Sequence, residues 1–178
     1  GIEETVKGIA KAGADMIELS LPGGGTGAST EHDRHEYGMP QTRLSHQNII
    51  YNVHKALIDS GYREHVNLYV DGQMKDQKAV ATALLSGADI IGFGTASMIM
   101  GQGCIKADVC HNNTCPKGIQ TWDVDLIKKF SATPIDLAEY FSVIAQETTK
   151  LLRSQGLHTL ENTIGNASKL KPAKPTLP

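Results

Sequence analysis

Only three cysteines, Cys104, Cys110 and Cys115, occur among the 178 residues. An odd number strands one thiol in any disulfide scheme, and no segment reads as a secretory signal, so an oxidised, disulfide-stapled framework is disfavoured. No apolar run approaches the roughly 20 residues that a helix needs to cross a bilayer. Charge of one sign is lacking too: the formal net charge is -2 with 20% charged residues. Apart from Lys128, Lys129 and the lysines of the tail, basic side chains are scattered, which leaves no footprint for nucleic acid. These absences point to a reducing, cytoplasmic setting with no membrane contact.

What is present is an alternation of helices and short apolar strands. Residues 3 to 12 carry Glu3 and Glu4 in a first helical turn and lead through Gly13 to the strand run Met16-Ile17-Glu18-Leu19. Ser45 caps a second helix with Ile49, Ile50, Val53, Ala56 and Leu57 on one side. A strand over 66–70 follows Gly61, Asp76 opens a third helix bearing Val80, Ala83 and Leu84, and the strand Ile90-Ile91 comes next. The βαβαβ order predicts an α/β fold with a parallel sheet. An internal echo, Lys11-Ala12-Gly13-Ala14-Asp15-Met16-Ile17 against Leu85-Ser86-Gly87-Ala88-Asp89-Ile90-Ile91, fits repeated βα units, as in a (β/α)8 TIM barrel. Eight strands close that barrel and this chain supplies about three, so the reading is a C-terminal portion of a barrel completed by another chain or a missing N-terminal segment. A small free-standing doubly wound sheet is the alternative. The organisation expected is βα units over 1–100, a cysteine segment over 101–122, C-terminal helices over 123–170 and a flexible tail over 171–178.

The strand ends carry the pocket. The first runs into Gly24-Gly25-Thr26-Gly27-Ala28-Ser29, whose glycines permit close backbone approach and whose hydroxyls offer donors. The second ends in Asp71-Gly72-Gln73 and the third in Gly92-Phe93-Gly94-Thr95. In a barrel, the last two strand ends and a following short helix commonly hold phosphate, a task suited to Gly72, Gly92, Gly94 and Thr95, while Phe93 is expected to pack. Beyond them the cysteines form C-x5-C-x4-C, followed at once by Pro116. Their polar, turn-forming neighbours argue against plain burial. Soft thiolates suit an iron-sulfur cluster, either three-iron or four-iron with a last ligand other than cysteine; zinc with His111 as fourth ligand is the rival. His32, His35 and His46 form no metal triad, because no element holds them together.

Taken together, these motifs make the chain similar to the flavin-binding synthase domain of the glutamate synthase family. Gly24-Gly25-Thr26-Gly27-Ala28-Ser29 resembles the family's G-G-T-G-A-S, Asp71-Gly72-Gln73-Met74-Lys75 its D-G-x-x-K, and Gly92-Phe93-Gly94-Thr95-Ala96 its G-F-G-T-A. Gly103-Cys104-Ile105 and the stretch from Cys110-His111-Asn112-Asn113-Thr114-Cys115 to Pro116-Lys117-Gly118-Ile119 resemble its cysteine segment, and the likeness runs over about residues 1 to 165. The resemblance implies FMN near Asp71, Gly72 and the run from Gly92 to Thr95, and a [3Fe-4S] cluster on Cys104, Cys110 and Cys115. It also implies reduction of 2-iminoglutarate formed from the 2-oxoacid 2-oxoglutarate and ammonia. Its partners would be the chain supplying the rest of the barrel, a glutaminase domain or subunit, and a ferredoxin or NAD(P)H-dependent reductase subunit. By itself the chain is expected to be inactive.

Two departures fall on the substrate side: Gly23 stands where the family usually has aspartate, and the charged run from Thr30 to Pro40 does not reproduce its S-P and lysine-containing loop. Farther on, Thr133 and Pro134 start a long helix whose stripe of Leu137, Tyr140, Phe141, Ile144, Thr148, Leu151 and Leu152 reads as packing. Trp122 is read as either a shield for the cluster or a structural residue.

Overall fold

The computed structural model describes residues 1–21 and 46–170. The glycine-rich loop, His32, His35, the Ser45 cap and the tail from Lys171 lie outside the described residues. The chain opens with α1 (Ile2–Lys11), whose acidic first turn and Lys11 at the other end complement the helix dipole. Strand β1 (Met16–Ser20) follows, then α2 (His46–Asp59), β2 (Asn67–Asp71), α3 (Gln77–Ser86) and β3 (Ile90–Ile91). The Asp76 carboxylate accepts the N–H groups of Lys78 (3.0 Å) and Ala79 (2.9 Å), so α3 starts where its cap residue predicts.

Both halves of the internal echo turn through a left-handed glycine, Gly13 at φ 92° and Gly87 at φ 119°. A side chain would resist that conformation, and the glycine lets each helix reverse directly into a strand.

The three strands are parallel and lie in chain order, β1-β2-β3, with Ile17 opposite Leu68, Leu19 opposite Val70 and Val70 opposite Ile91. Alternation along β1 and β2 sends Ile17, Leu19, Leu68 and Val70 to one face. There they meet Val6 of α1, Ile50, Val53 and Leu57 of α2 and Ala83 of α3 in one core. Sequential right-handed crossovers put every connecting helix on the same side of a sheet. The other face holds Met16, Glu18 and Ser20, all exposed, then half-buried Tyr69 and Asp71, then exposed Ile90.

Past the sheet come α4 (Thr95–Gln102), the short α5 (Val124–Ile127) and the long α6 (Pro134–Ser154). The helix starts at the expected Thr133 and Pro134, where Thr133 and Asp136 form a capping box, a device worth about 1 kcal/mol. α6 packs on α3 and α4. Leu152 and Leu157 join Val80, Leu84 and Leu85 in a second core, and Phe93 meets Tyr140 and Phe141 edge-on at centroid distances of 6.1 and 5.5 Å. Phe93 is thus a packing residue, as read from its place beside the glycines. The stripe on α6 is only partly covered, since Tyr140, Thr148 and Leu152 are buried while Phe141 stays exposed.

At the opposite end of the sheet from the glycines sits a polar hub. Arg63 donates through Nη2 to both Asp89 carboxylate oxygens at 2.8 Å and to the Gly87 carbonyl at 2.9 Å. Its Nη1 donates to the Val66 carbonyl and its Nε to His54 Nδ1 (2.9 Å), while Asp89 Oδ2 also accepts the Leu68 N–H (2.6 Å). One guanidinium therefore ties α2, the entry to β2 and the turn before β3. His54 itself is wedged between two glycines, because a side chain at Gly87 or Gly165 would collide with its ring.

Candidate functional site

The carboxyl ends of β2 and β3 and the start of α4 form one edge. Register sets Ser20 beside Asp71, and the Leu21 N–H donates to the Asp71 carbonyl at 3.0 Å. Gly72 has φ 95°, and a Cβ there would lie 2.7 Å from the Leu21 carbonyl oxygen, so glycine is required where β2 turns past the first strand. Gly92 has a different reason: its N–H joins the sheet through the Val70 carbonyl (2.8 Å), and a Cβ would collide with the Tyr69 hydroxyl. What Gly92 gives is room for the phenol.

Gly94 differs from both. It precedes α4 as its cap without any side-chain cap bond, and a Cβ added there meets nothing within 4 Å. The first-turn N–H groups of a helix have no partner within it, and their dipole favours an anion. Thr95 is the first helical residue, with its hydroxyl at the same end. Of the expected phosphate residues, Gly94 and Thr95 thus stand at the open position, while Gly72 and Gly92 shape the backbone beside it. Gly24, Gly25, Thr26 and Gly27 lie outside the described residues.

The cysteine segment begins where α4 ends at Gly103, φ 73°. From there the chain repeatedly visits the left-handed region, at Lys106, Asp108, Asn113 and Gly118. Cys104 and Cys110 are half-buried and Cys115 is buried. The Lys106 N–H points to Cys104 Sγ at 3.3 Å. Burial pushes the Cys110 thiol up, and the neighbouring Cys104 and Cys115 add to this. Burial would also raise Cys115, but the N–H groups of Gln120, Lys117, Ile119 and Gly118 outweigh it and hold that thiol below its ordinary value. Such a backbone nest stabilises a thiolate. His111 is exposed on the short turn that begins at Cys110. Among the described residues no three His, Cys, Asp or Glu side chains gather as a group around a single metal ion. Trp122 is 89% exposed, with its backbone N–H held by Asn113 Oδ1 at 2.6 Å.

Residues 1–158 match the family model described as a conserved region in glutamate synthase. The chain belongs to the glutamate synthase family. The ferredoxin-dependent glutamate synthase of Cyanidium caldarium is 39% identical over 165 residues, 93% of this chain. Ferredoxin-dependent glutamate synthase 1 of Arabidopsis thaliana is 38% identical over 173 residues, 97% of the chain, and ferredoxin-dependent glutamate synthase 2 of a Synechocystis species is 38% identical over 171 residues, 96% of the chain. The chain spans about 10% of the length of the first two relatives and 11% of the third. No described helix is long and apolar enough to cross a membrane.

Sequence reasoning missed three parts of this arrangement. The nest around Cys115 depends on backbone directions over residues 117–120, which no residue type announces. The slot at Gly92 depends on Tyr69, one strand away. The Arg63 hub had one visible signal, the Asp89 of the repeated Gly-Ala-Asp turn, but its cation lies 26 positions earlier.

Proposed function

We propose that this chain forms the last βα units and cluster segment of a TIM-type barrel in a glutamate synthase that uses FMN and a [3Fe-4S] cluster. The observation that carries the reading is the succession of two environments along one stretch of chain: an open helix start without a side-chain cap at Gly94, suited to phosphate, and then a Cys115 thiol held below its ordinary value by nearby backbone N–H groups. The sheet supports the barrel. Parallel sheets are normally covered on both faces, and here one face is covered by helices while the other carries a mixed row from Met16 to Ile90, as an incomplete barrel wall would.

In the reaction proposed, the C=N bond of 2-iminoglutarate gains two electrons and two protons to give L-glutamate. When bound, the flavin supplies hydride transfer and the cluster one-electron delivery. The chain's own residues bind and orient. Gly94, Thr95 and the first turn of α4 hold phosphate; Cys104, Cys110 and Cys115 hold iron, with N–H groups near Cys115 favouring its charged form. A cluster spreads its irons over several sulfurs, which asks for wider spacing than a single zinc ion. The electron donor is a ferredoxin, in keeping with the names of the relatives, or an NAD(P)H-dependent reductase subunit, and a glutaminase domain supplies ammonia. Without the rest of the barrel the chain is inactive.

The test is anaerobic purification of the intact protein with analysis for iron, sulfide, zinc and flavin. Iron, sulfide and FMN are expected; zinc without iron ends the cluster reading, and absence of flavin ends the barrel-site reading. Gly94→Val is expected to lower retained FMN by about tenfold or more after gel filtration while leaving thermal stability near that of the unaltered protein, because a Cβ there meets nothing within 4 Å among the described residues. Lys150→Ala, on the exposed side of α6, should retain flavin fully. Equal retention in the two variants would count against phosphate at Gly94.

A further inference from the structure

Between the last cysteine and α6 the chain carries apolar side chains that no described element covers. Trp122 is 89% exposed, Val124 is 67% exposed, and Ile127 and Phe130 are exposed too. Single apolar residues at a surface are ordinary, but a run of them this dense argues for contact with another molecule. The run is also held still. The Thr121 hydroxyl donates to the Asn113 carbonyl at 2.7 Å, and the Trp122 N–H to Asn113 Oδ1, which ties Trp122 to the turn between Cys110 and Cys115. Asp123 Oδ1 accepts the N–H groups of Asp125 (2.9 Å) and Leu126 (3.1 Å) to open α5. That helix lies so close to Gly118 that a Cβ there would collide with the Leu126 carbonyl. Patch and cysteine turn therefore form one block.

Charge narrows the partner. Lys106, Lys117 and Lys129 make no ion pair among the described residues, whereas Lys128 is held by Asp125 at 2.7 Å. A Cβ at Gly103 would touch Lys117 Cε at 3.8 Å, so that lysine lies back beside the start of the cysteine segment. Asp108, Asp123 and Asp125 are the carboxylates from 104 to 130, and the last two are engaged in opening α5 and holding Lys128. The rim is basic on a chain whose net charge is -2.

We propose that Trp122, Val124, Ile127 and Phe130, rimmed by Lys106, Lys117 and Lys129, are the docking surface for a small acidic one-electron carrier protein. The assignment rests on the cluster reading above. A carrier must come close to the iron it serves and leave again, which asks for a small contact with one rigid anchor and a charged rim. Tryptophan on a fixed backbone is such an anchor, since it buries a large area while losing little freedom. One electron passes from the carrier's reduced centre, which is thereby oxidised, to the iron held by the three thiolates; no bond forms or breaks.

The experiment uses the intact protein, purified anaerobically. Calorimetry follows the binding of a ferredoxin, and turnover is driven either by that ferredoxin or by reduced methyl viologen, a small donor that needs no docking surface. Trp122→Ala is expected to weaken ferredoxin binding by about thirtyfold or more and to raise its KM to match, with viologen-driven turnover and iron content unchanged. Trp122→Phe keeps a ring and should recover most of the binding. Added salt should weaken binding by the unaltered protein; indifference to salt would overturn the acidic carrier. Iron or viologen-driven turnover lost in Trp122→Ala would make Trp122 a shield for the cluster. A changed oligomeric state would give the patch to a second copy, and a lower melting temperature would give it to the remainder of the synthase. Each of these overturns the proposal, as does unaltered ferredoxin binding. Unaltered protein that holds iron but binds no ferredoxin sinks the docking surface alone, whereas protein without iron sinks the cluster reading beneath it.

Discussion

Replacing Cys115 with serine is expected to remove nearly all iron-sulfur absorbance from the anaerobically purified protein. Three thiolates are the whole cysteine supply of the chain, so no other thiol can take the vacated place. Cys115 is also the most buried of the three, and the backbone N–H groups around it hold its thiol below the ordinary value despite that burial. A serine oxygen is a harder, far more basic ligand that remains protonated in the same nest, and soft iron-sulfide chemistry disfavours it. Cys104→Ser and Cys110→Ser should lose most absorbance as well. Iron and sulfide retained at full stoichiometry in the Cys115 variant would sink the ligand assignment, and so would stoichiometric zinc in the unaltered protein.

The second large effect lies at the other end of the sheet. Arg63→Ala is expected to destabilise the fold by about 3–5 kcal/mol, because it strips the guanidinium from a mostly buried Asp89 carboxylate and leaves the Val66 and Gly87 carbonyls without their side-chain donor. Arg63→Lys should rescue little, since a single ammonium cannot reach four acceptors in a fixed fork. Urea denaturation of the intact protein measures the difference, and a loss under about 1 kcal/mol would show the hub to be dispensable.

The same hub sets a pH dependence. Arg63 Nε donates to His54 Nδ1, so that nitrogen is unprotonated in the folded state. Burial first, and then the Arg63 charge, push His54 below its ordinary value, against a smaller opposing pull from Asp89. The unfolded chain therefore binds the proton more readily than the folded one. Stability is fully present above the ordinary histidine value of about 6.5 and falls as pH drops through and below it. His54→Gln should flatten that part of the profile; an equally steep decline in the variant would assign the effect elsewhere.

Much of the fold was legible because local chemistry and tertiary packing agree. Asp76 caps α3, Thr133 and Asp136 cap α6, Gly13 and Gly87 reverse helix into strand, and the buried side of α2 is the one its apolar spacing predicts. The second strand lies one residue later than its apolar run suggested, at Asn67–Asp71, because pairing with β1 sets its limits rather than hydrophobicity. The C-terminal stripe was only partly predictive, since α6 needs just enough apolar surface to cover α3 and α4 and leaves Phe141 at the surface.

The sequence by itself determined the family, the α/β class and the concentration of thiols, because these rest on residue identity and spacing along the chain. Tertiary structure decided the work of the three strand-end glycines: Gly72 clears the Leu21 backbone, Gly92 admits Tyr69, and a Cβ at Gly94 meets nothing within 4 Å among the described residues. Spacing along the chain cannot separate these roles, since each depends on what a neighbouring strand places above the missing Cβ. Tertiary structure also decided which cysteine sits in an N–H nest and that the buried Asp71 Oδ1 lacks a donor among the described residues. Both depend on the directions of groups in space, which residue type leaves undetermined until the backbone is folded.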